Sequence, residues 1–145
     1  MRFRNGGREH YCGGIILDKR TILTAYHCLR KRVGYLRKGH VYVLAGATNN
    51  QNSGQFIQAE SVILNHENPF VPGNNANDVA LIKLTKDLVF NNYVKPACLP
   101  EKTANFTGKT CYASGWGHQY TGQKRAPDQL QFLPMPILSH AQCKR

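Results

Sequence analysis

Asn77-Asp78-Val79-Ala80-Leu81-Ile82-Lys83-Leu84 is a brief apolar run opened by two turn-forming residues. Val79 to Leu84 therefore reads as a strand, with Asp78 at its head. The same signature recurs outward in both directions. Tyr11 to Leu17, Thr21 to Thr24, His40 to Ala45, Phe56 to Leu64, Lys109 to Ala113 and Leu130 to Leu138 are each short, rich in β-branched or aromatic residues, and bounded by Gly, Asn, Asp or Pro. Asn49 to Gly54 and Pro69 to Asn77 are turn and loop segments. Only Ser139-His140-Ala141-Gln142 looks helical, because serine three residues before glutamine is the pattern of a capping box. Many short strands with little helix predict an all-β barrel or sandwich.

The chain has 145 residues, of which 41% are hydrophobic, enough for a core and against disorder of the whole chain. No apolar run approaches the roughly 20 residues of a membrane helix, and Met1 to Gly7 has no apolar stretch that could act as a signal peptide. Five cysteines suit the disulfide-bonded, secreted class, and an odd number leaves at least one free or paired outside the chain. No C-x-x-C pair occurs, so the common zinc-ribbon and thioredoxin spacings are absent. Cysteines without a leader, and a helix signal that stops at Arg145 inside its first turn, lead to the expectation that the sequence is part of a longer one.

The net charge is +11 and unevenly spread. Residues 1–45 hold ten Lys/Arg against two acids, and residues 46–145 hold nine against six. Arg30, Lys31, Arg32, Arg37 and Lys38 fall within nine positions. Such a cluster is either a solvated loop or an attraction for polyanions such as heparin.

Three segments carry chemistry. They are Tyr11-Cys12-Gly13-Gly14-Ile15-Ile16-Leu17 followed by Leu23-Thr24-Ala25-Tyr26-His27-Cys28; Asn77 to Leu84; and Cys111-Tyr112-Ala113-Ser114-Gly115-Trp116-Gly117. In that order they resemble the trypsin/chymotrypsin family of serine endopeptidases, which has C-G-G, T-A-A-H-C, D-[IV]-A-L-[IL]-[KR]-L and G-W-G at the matching places. Ala126 to Gln131 and Pro136 to Cys143 resemble it too. The resemblance spans nearly the whole chain.

It implies a double six-stranded antiparallel β-barrel, here incomplete, with residues 1–93 giving the first barrel and 94–145 the start of the second. It also implies that His27 is the general base and Asp78 the carboxylate that orients it. The chemistry is sound, since an ordinary imidazole titrates near about 6.5 and a carboxylate fixes its tautomer. His27 and Asp78 are 51 positions apart, so only folding can join them. The family's disulfide beside its histidine matches Cys12 and Cys28. A zinc site from Cys12, Cys28 and His27 is the weaker reading: adjacent His27 and Cys28 would point apart on an extended chain, and no fourth ligand suggests itself. Cys98, Cys111 and Cys143 match family cysteines whose partners lie outside these residues.

Departures matter as much. The family's mature amino terminus and its G-D-S-G-G-P nucleophile segment are absent, and Ser53, Ser61, Ser114 and Ser139 do not sit in such a motif. Tyr26 replaces the usual alanine and is expected to crowd the histidine. Ala47 replaces an acidic calcium ligand of some members, so no metal or other cofactor is expected. Leu29 to His40 is longer than usual. Trp116 is expected in the core with its indole N–H bonded; His10, His40, His66, His118 and His140 have no partner pattern. Asn105-Phe106-Thr107 is the one glycosylation sequon. The function expected is a secreted serine endopeptidase acting on protein or peptide substrates, inactive as residues 1–145 alone. The alternative is a non-catalytic, basic homologue that binds a polyanion or a protein. Neither a nucleic-acid partner nor a membrane span is expected.

Overall fold

The computed structural model describes residues 2–5, 8–29, 40–49, 53–65 and 77–144. Among them the strands are β1 (Arg2–Asn5), β2 (Arg8–Tyr11), β3 (Ile15–Ile16), β4 (Thr21–Thr24), β5 (Val41–Ala45), β6 (Gln55–Leu64), β7 (Ala80–Leu84), β8 (Thr110–Gly115) and β9 (Gln131–Pro136). Two single helical turns accompany them, α1 (Tyr26–Leu29) and α2 (His140–Cys143). The chain divides into two compact units, Met1–Gly46 with Gly54–Cys98, and Ala47–Ser53 with Leu99–Arg145.

The first unit is one antiparallel sheet of order β2-β1-β5-β6-β7-β4-β3. Its two outermost strands, β2 and β3, are separated in the chain only by Cys12, Gly13 and Gly14. A flat sheet of this size would hold them about 29 Å apart at about 4.8 Å per strand. Four residue steps reach at most about 14 Å. The sheet is therefore curled until its edges approach, as a barrel wall is. Taken as one bent strand, β2 and β3 leave six strands, in keeping with the expected barrel. The break at Gly13-Gly14 splits the anticipated Tyr11 to Leu17 strand. The backbone comes so close to β4 there that a Cβ on Gly14 would lie 2.8 Å from Ile22 Cγ2.

Alternation buries one face. Val41, Val43 and Ala45 of β5 and Ala80, Ile82 and Leu84 of β7 point into a core that also holds Ile22, Leu29, Ala59, Leu88 and Val94. β6 spans both halves of the sheet, pairing with β5 through Gln58 and with β7 from Ala59, with an irregularity between Ala59 and Ser61. Such bulges bend a strand and raise its twist, which suits a sheet that must curl. Gly46 closes β5 with φ of 76°, and a Cβ there would lie 2.6 Å from Val94 Cγ2. The Arg20 side chain fastens the far end of β7, donating from Nε to the Leu84 carbonyl at 3.0 Å and from a terminal nitrogen to the Leu84 and Thr85 carbonyls at 2.9 and 3.1 Å.

In the second unit β8 and β9 pair antiparallel from Thr110↔Pro136 to Gly115↔Gln131. Asn49 bridges Gln129, and the Leu130 amide donates to the Thr48 carbonyl at 2.8 Å. Ser139 caps α2 as its sequence predicts: its Oγ accepts from the Gln142 amide at 3.3 Å, and its own amide donates to Gln142 Oε1 at 2.9 Å. Among the described residues of this unit only Ala47 is a buried hydrophobic residue, while Tyr112, Phe132, Leu133 and Met135 are exposed. The expectation for Trp116 is corrected accordingly. It is only half-buried, and its indole Nε1 is covered without an acceptor, because these residues supply no core for it to enter.

Candidate active site

Two strands of the first unit bring the candidate pair together. β4 and β7 run antiparallel with Thr24 opposite Ala80. Beyond that last pair, one chain continues through Ala25 and Tyr26 to His27, and the other reaches back through Val79 to Asp78. Both residues thus leave the same end of one ladder, which closes the 51-residue separation.

Local structure fixes each side chain. Asn77 has φ of 55°, a left-handed conformation that Asn tolerates better than most residues. The Val79 amide donates to the Asn77 carbonyl at 2.7 Å, a three-residue turn centred on Asp78. Across from it the chain makes the single turn α1, and the Cys28 amide donates to the Ala25 carbonyl at 3.2 Å. Asp78 accepts from both the backbone and the ring of His27: Oδ1 takes the His27 amide at 2.8 Å, and Oδ2 lies 2.6 Å from His27 Nδ1. The carboxylate therefore caps the turn that carries the histidine, and amides left without intrahelical partners gain an acceptor. With the Nδ1 proton committed to Asp78, the lone pair resides on Nε2, which lies 3.6 Å from Cys28 Sγ.

Donation by the His27 ring holds the Asp78 carboxyl below its ordinary value, and the His27 and Tyr26 amides act in the same direction against partial burial. Because the native value is depressed, the contact contributes fully above the ordinary carboxylate range near about 4 and is lost as pH falls through the lower native value. On acidification from about pH 6 to about pH 2, the unmodified protein is expected to lose more thermal stability than Asp78→Asn, the two converging at the acid end. Parallel pH profiles would show that the carboxylate contributes nothing to the fold.

Tyr26 does not crowd the histidine. It is half-buried and packs against the hydrophobic core, while His27 keeps 57% of its side chain exposed. Within the turn Tyr26, Cys28 and Leu29 face the core and His27 faces solvent. Cys12 and Cys28 form a disulfide across 6.4 Å between Cα atoms. In the chain-entropy description, closing a loop of this size is worth about 3 kcal/mol. The bridge joins the turn to the Gly13 segment, where Thr24 Oγ1 also donates to the Gly13 carbonyl at 2.9 Å. The geometric objection to a zinc site is overturned. On a helical turn His27 and Cys28 do not diverge, and donor atoms of Cys12, His27 and Cys28 all lie within 4.8 Å of one another. It is the disulfide that occupies both sulfurs.

Arg30, Lys31, Arg32, Arg37 and Lys38 lie outside the described residues. Asn105 is exposed and accepts from the Thr107 amide at 2.9 Å. Cys98, Cys111 and Cys143 carry no disulfide. Sequence reading misses Asn77 as the residue that turns Asp78 inward. Its signal is the Asn-Asp pair itself, which by pattern marks only the end of a loop.

A family model described as trypsin matches residues 1–145. The chain belongs to the trypsin family. It is 38% identical over 138 residues to trypsin-1 of Gadus morhua, covering 92% of this chain and 52% of that relative. It is 34% identical over 134 residues to trypsin-3 of Salmo salar, covering 92% of this chain and 53% of that one. A solved structure described as GrC superimposes with a TM-score of 0.80 at 27% identity, over 99% of this chain and 60% of that one. The chain thus spans about half the length of the curated trypsins it matches, with the trypsin-like all-β architecture and the disulfide that the family resemblance implied.

Proposed function

We propose that this trypsin-family chain supplies the general base and its orienting carboxylate to a secreted serine endopeptidase. The observation behind this reading is the 2.6 Å contact between His27 Nδ1 and Asp78 Oδ2, with Nε2 left as the basic nitrogen. In the whole protein, His27 Nε2 takes the proton of a serine hydroxyl supplied by sequence outside these residues. That hydroxyl attacks the peptide carbonyl, and His27 returns the proton to the leaving amine. Water repeats the sequence on the acyl-enzyme. Asp78 keeps the ring in one tautomer and stabilises the imidazolium. Residues 1–93 would form the first barrel and 94–145 the beginning of the second, with Asn105 as a glycan acceptor. Protein or peptide chains are the substrates.

Residues 1–145 alone hold base and orienter without the nucleophile segment, so they form no acyl-enzyme. They are expected to be silent towards a fluorophosphonate probe, whereas the whole gene product labels and loses labelling on His27→Ala. A whole protein that is secreted intact and has no serine in a G-D-S-G-G-type segment would overturn the enzyme reading.

The net charge of +11 is compatible with the enzyme and also with a second reading, a basic homologue that binds polyanions. Five cations within residues 30–38 would attract a heparin-like chain in a salt-dependent way. Neutralising Arg30, Lys31 and Arg32 together should bring the protein off a heparin column at lower salt. An unchanged elution position would remove this reading.

A further inference from the structure

We infer that reducing the Cys12–Cys28 disulfide unmasks a zinc site made of Cys12 Sγ, Cys28 Sγ and His27 Nε2. The donors are already gathered. They lie within 4.8 Å of one another, and His27 Nε2 stands 3.6 Å from Cys28 Sγ. In a tetrahedral zinc site with Zn–N near 2.0 Å and Zn–S near 2.3 Å, a nitrogen and a sulfur sit about 3.5 Å apart and two sulfurs about 3.8 Å apart. One nitrogen–sulfur edge, from His27 Nε2 to Cys28 Sγ, is therefore in place, and the two sulfurs must separate once their bond is broken.

The surroundings fit a metal too. A zinc-bound histidine characteristically donates its other ring N–H to a carboxylate, which fixes the tautomer and raises ligand basicity. Asp78 Oδ2 already holds His27 Nδ1 at 2.6 Å. His27 is open to solvent and so within reach of an ion. Two cysteines and one histidine leave the fourth position to water, which answers the want of a fourth protein ligand.

The chemistry balances with a phosphine as reductant. The disulfide and one water are converted to two thiols while the phosphine becomes its oxide. Zinc then displaces the two thiol protons and takes the Nε2 lone pair, giving a neutral site from Zn²⁺ and two thiolates. The site does not depend on the catalytic reading. If that reading is right, zinc would occupy the nitrogen proposed as general base.

The test uses residues 1–145 with Cys98→Ser, Cys111→Ser and Cys143→Ser, so that no other thiol competes. Co²⁺ serves as the probe, because two thiolates in a tetrahedral site give charge-transfer and ligand-field absorption. After phosphine treatment one Co²⁺ per chain should bind with this spectrum and be displaced by one Zn²⁺; the oxidised protein should give none. His27→Ala should remove the tetrahedral signature, and Asp78→Asn should weaken binding by about 10- to 100-fold. A reduced protein with the metal binding of the oxidised one, or binding indifferent to His27→Ala, would overturn the proposal. So would a disulfide that resists the phosphine while the chain stays folded. If reduction unfolds the chain, recovery of the oxidised circular dichroism on adding zinc supports the site, and failure to recover it rejects it.

Discussion

Changing Asp78 to asparagine in the whole protein is expected to lower kcat by about 10⁴-fold, a magnitude carried over from the serine-protease family itself. The reason lies in which ring nitrogen carries the proton. Oδ2 of Asp78 can only accept, so it draws the His27 proton to Nδ1 and leaves Nε2 basic. An asparagine amide can turn its NH₂ towards Nδ1, whose lone pair then accepts. The proton moves to Nε2, and the base is lost although the geometry survives. The measurement is kcat on a peptide amide near neutral pH, with KM followed alongside. A decrease of less than about tenfold would mean that some other group sets the tautomer and that Asp78 does not orient the base.

Ile82→Ala is expected to cost about 2–5 kcal/mol of stability, the usual range for removing a large aliphatic side chain from a closed core. Ile82 is 0% exposed. It sits at the centre of β7, opposite Ile22 on one side and Val62 on the other. Neither neighbour can move far into the gap, because each is held by its own ladder, so much of the cavity should persist. Urea unfolding should show a lower midpoint with an unchanged slope. A loss below about 1 kcal/mol would show that the sheet relaxes into the space and that its core is not closely packed around β7.

Much of this molecule is legible in its residues. The apolar run after Asp78 becomes β7, and Thr21 to Thr24 becomes β4 with the same bounds. The capping pattern at Ser139 forms as read. The His27–Asp78 pairing can be anticipated only through resemblance, because local pattern carries no information about contacts across 51 positions. The turn α1 escapes sequence reading because four residues are too few to show helical periodicity. That omission misdirects the reading of both Tyr26 and the Cys12-His27-Cys28 cluster. β1 escapes as well: its Arg-Phe-Arg-Asn sequence is too charged to look like a strand, although the Asn5-Gly6-Gly7 that follows is a hairpin signal. The expectation of a core position for Trp116 rests on residue type alone, and burial depends on what neighbouring strands contribute. The Arg20 clamp has no sequence signature, since its acceptors are backbone carbonyls 64 and 65 positions away.

The pairing of Thr24 with Ala80 also bears on how this chain tolerates change. His27 and Asp78 both emerge from one end of a single antiparallel ladder, so their separation depends on register and not on the length of chain between them. Insertions and deletions between residues 30 and 76 that keep the strands intact can alter what surrounds the pair without resetting its spacing. A one-residue slip of β7 against β4 would do the reverse, turning its core side chains outward while moving the carboxylate away from the ring. Changes of chain length between the two strands are thereby separated from the spacing of the pair, which follows the register of β4 against β7.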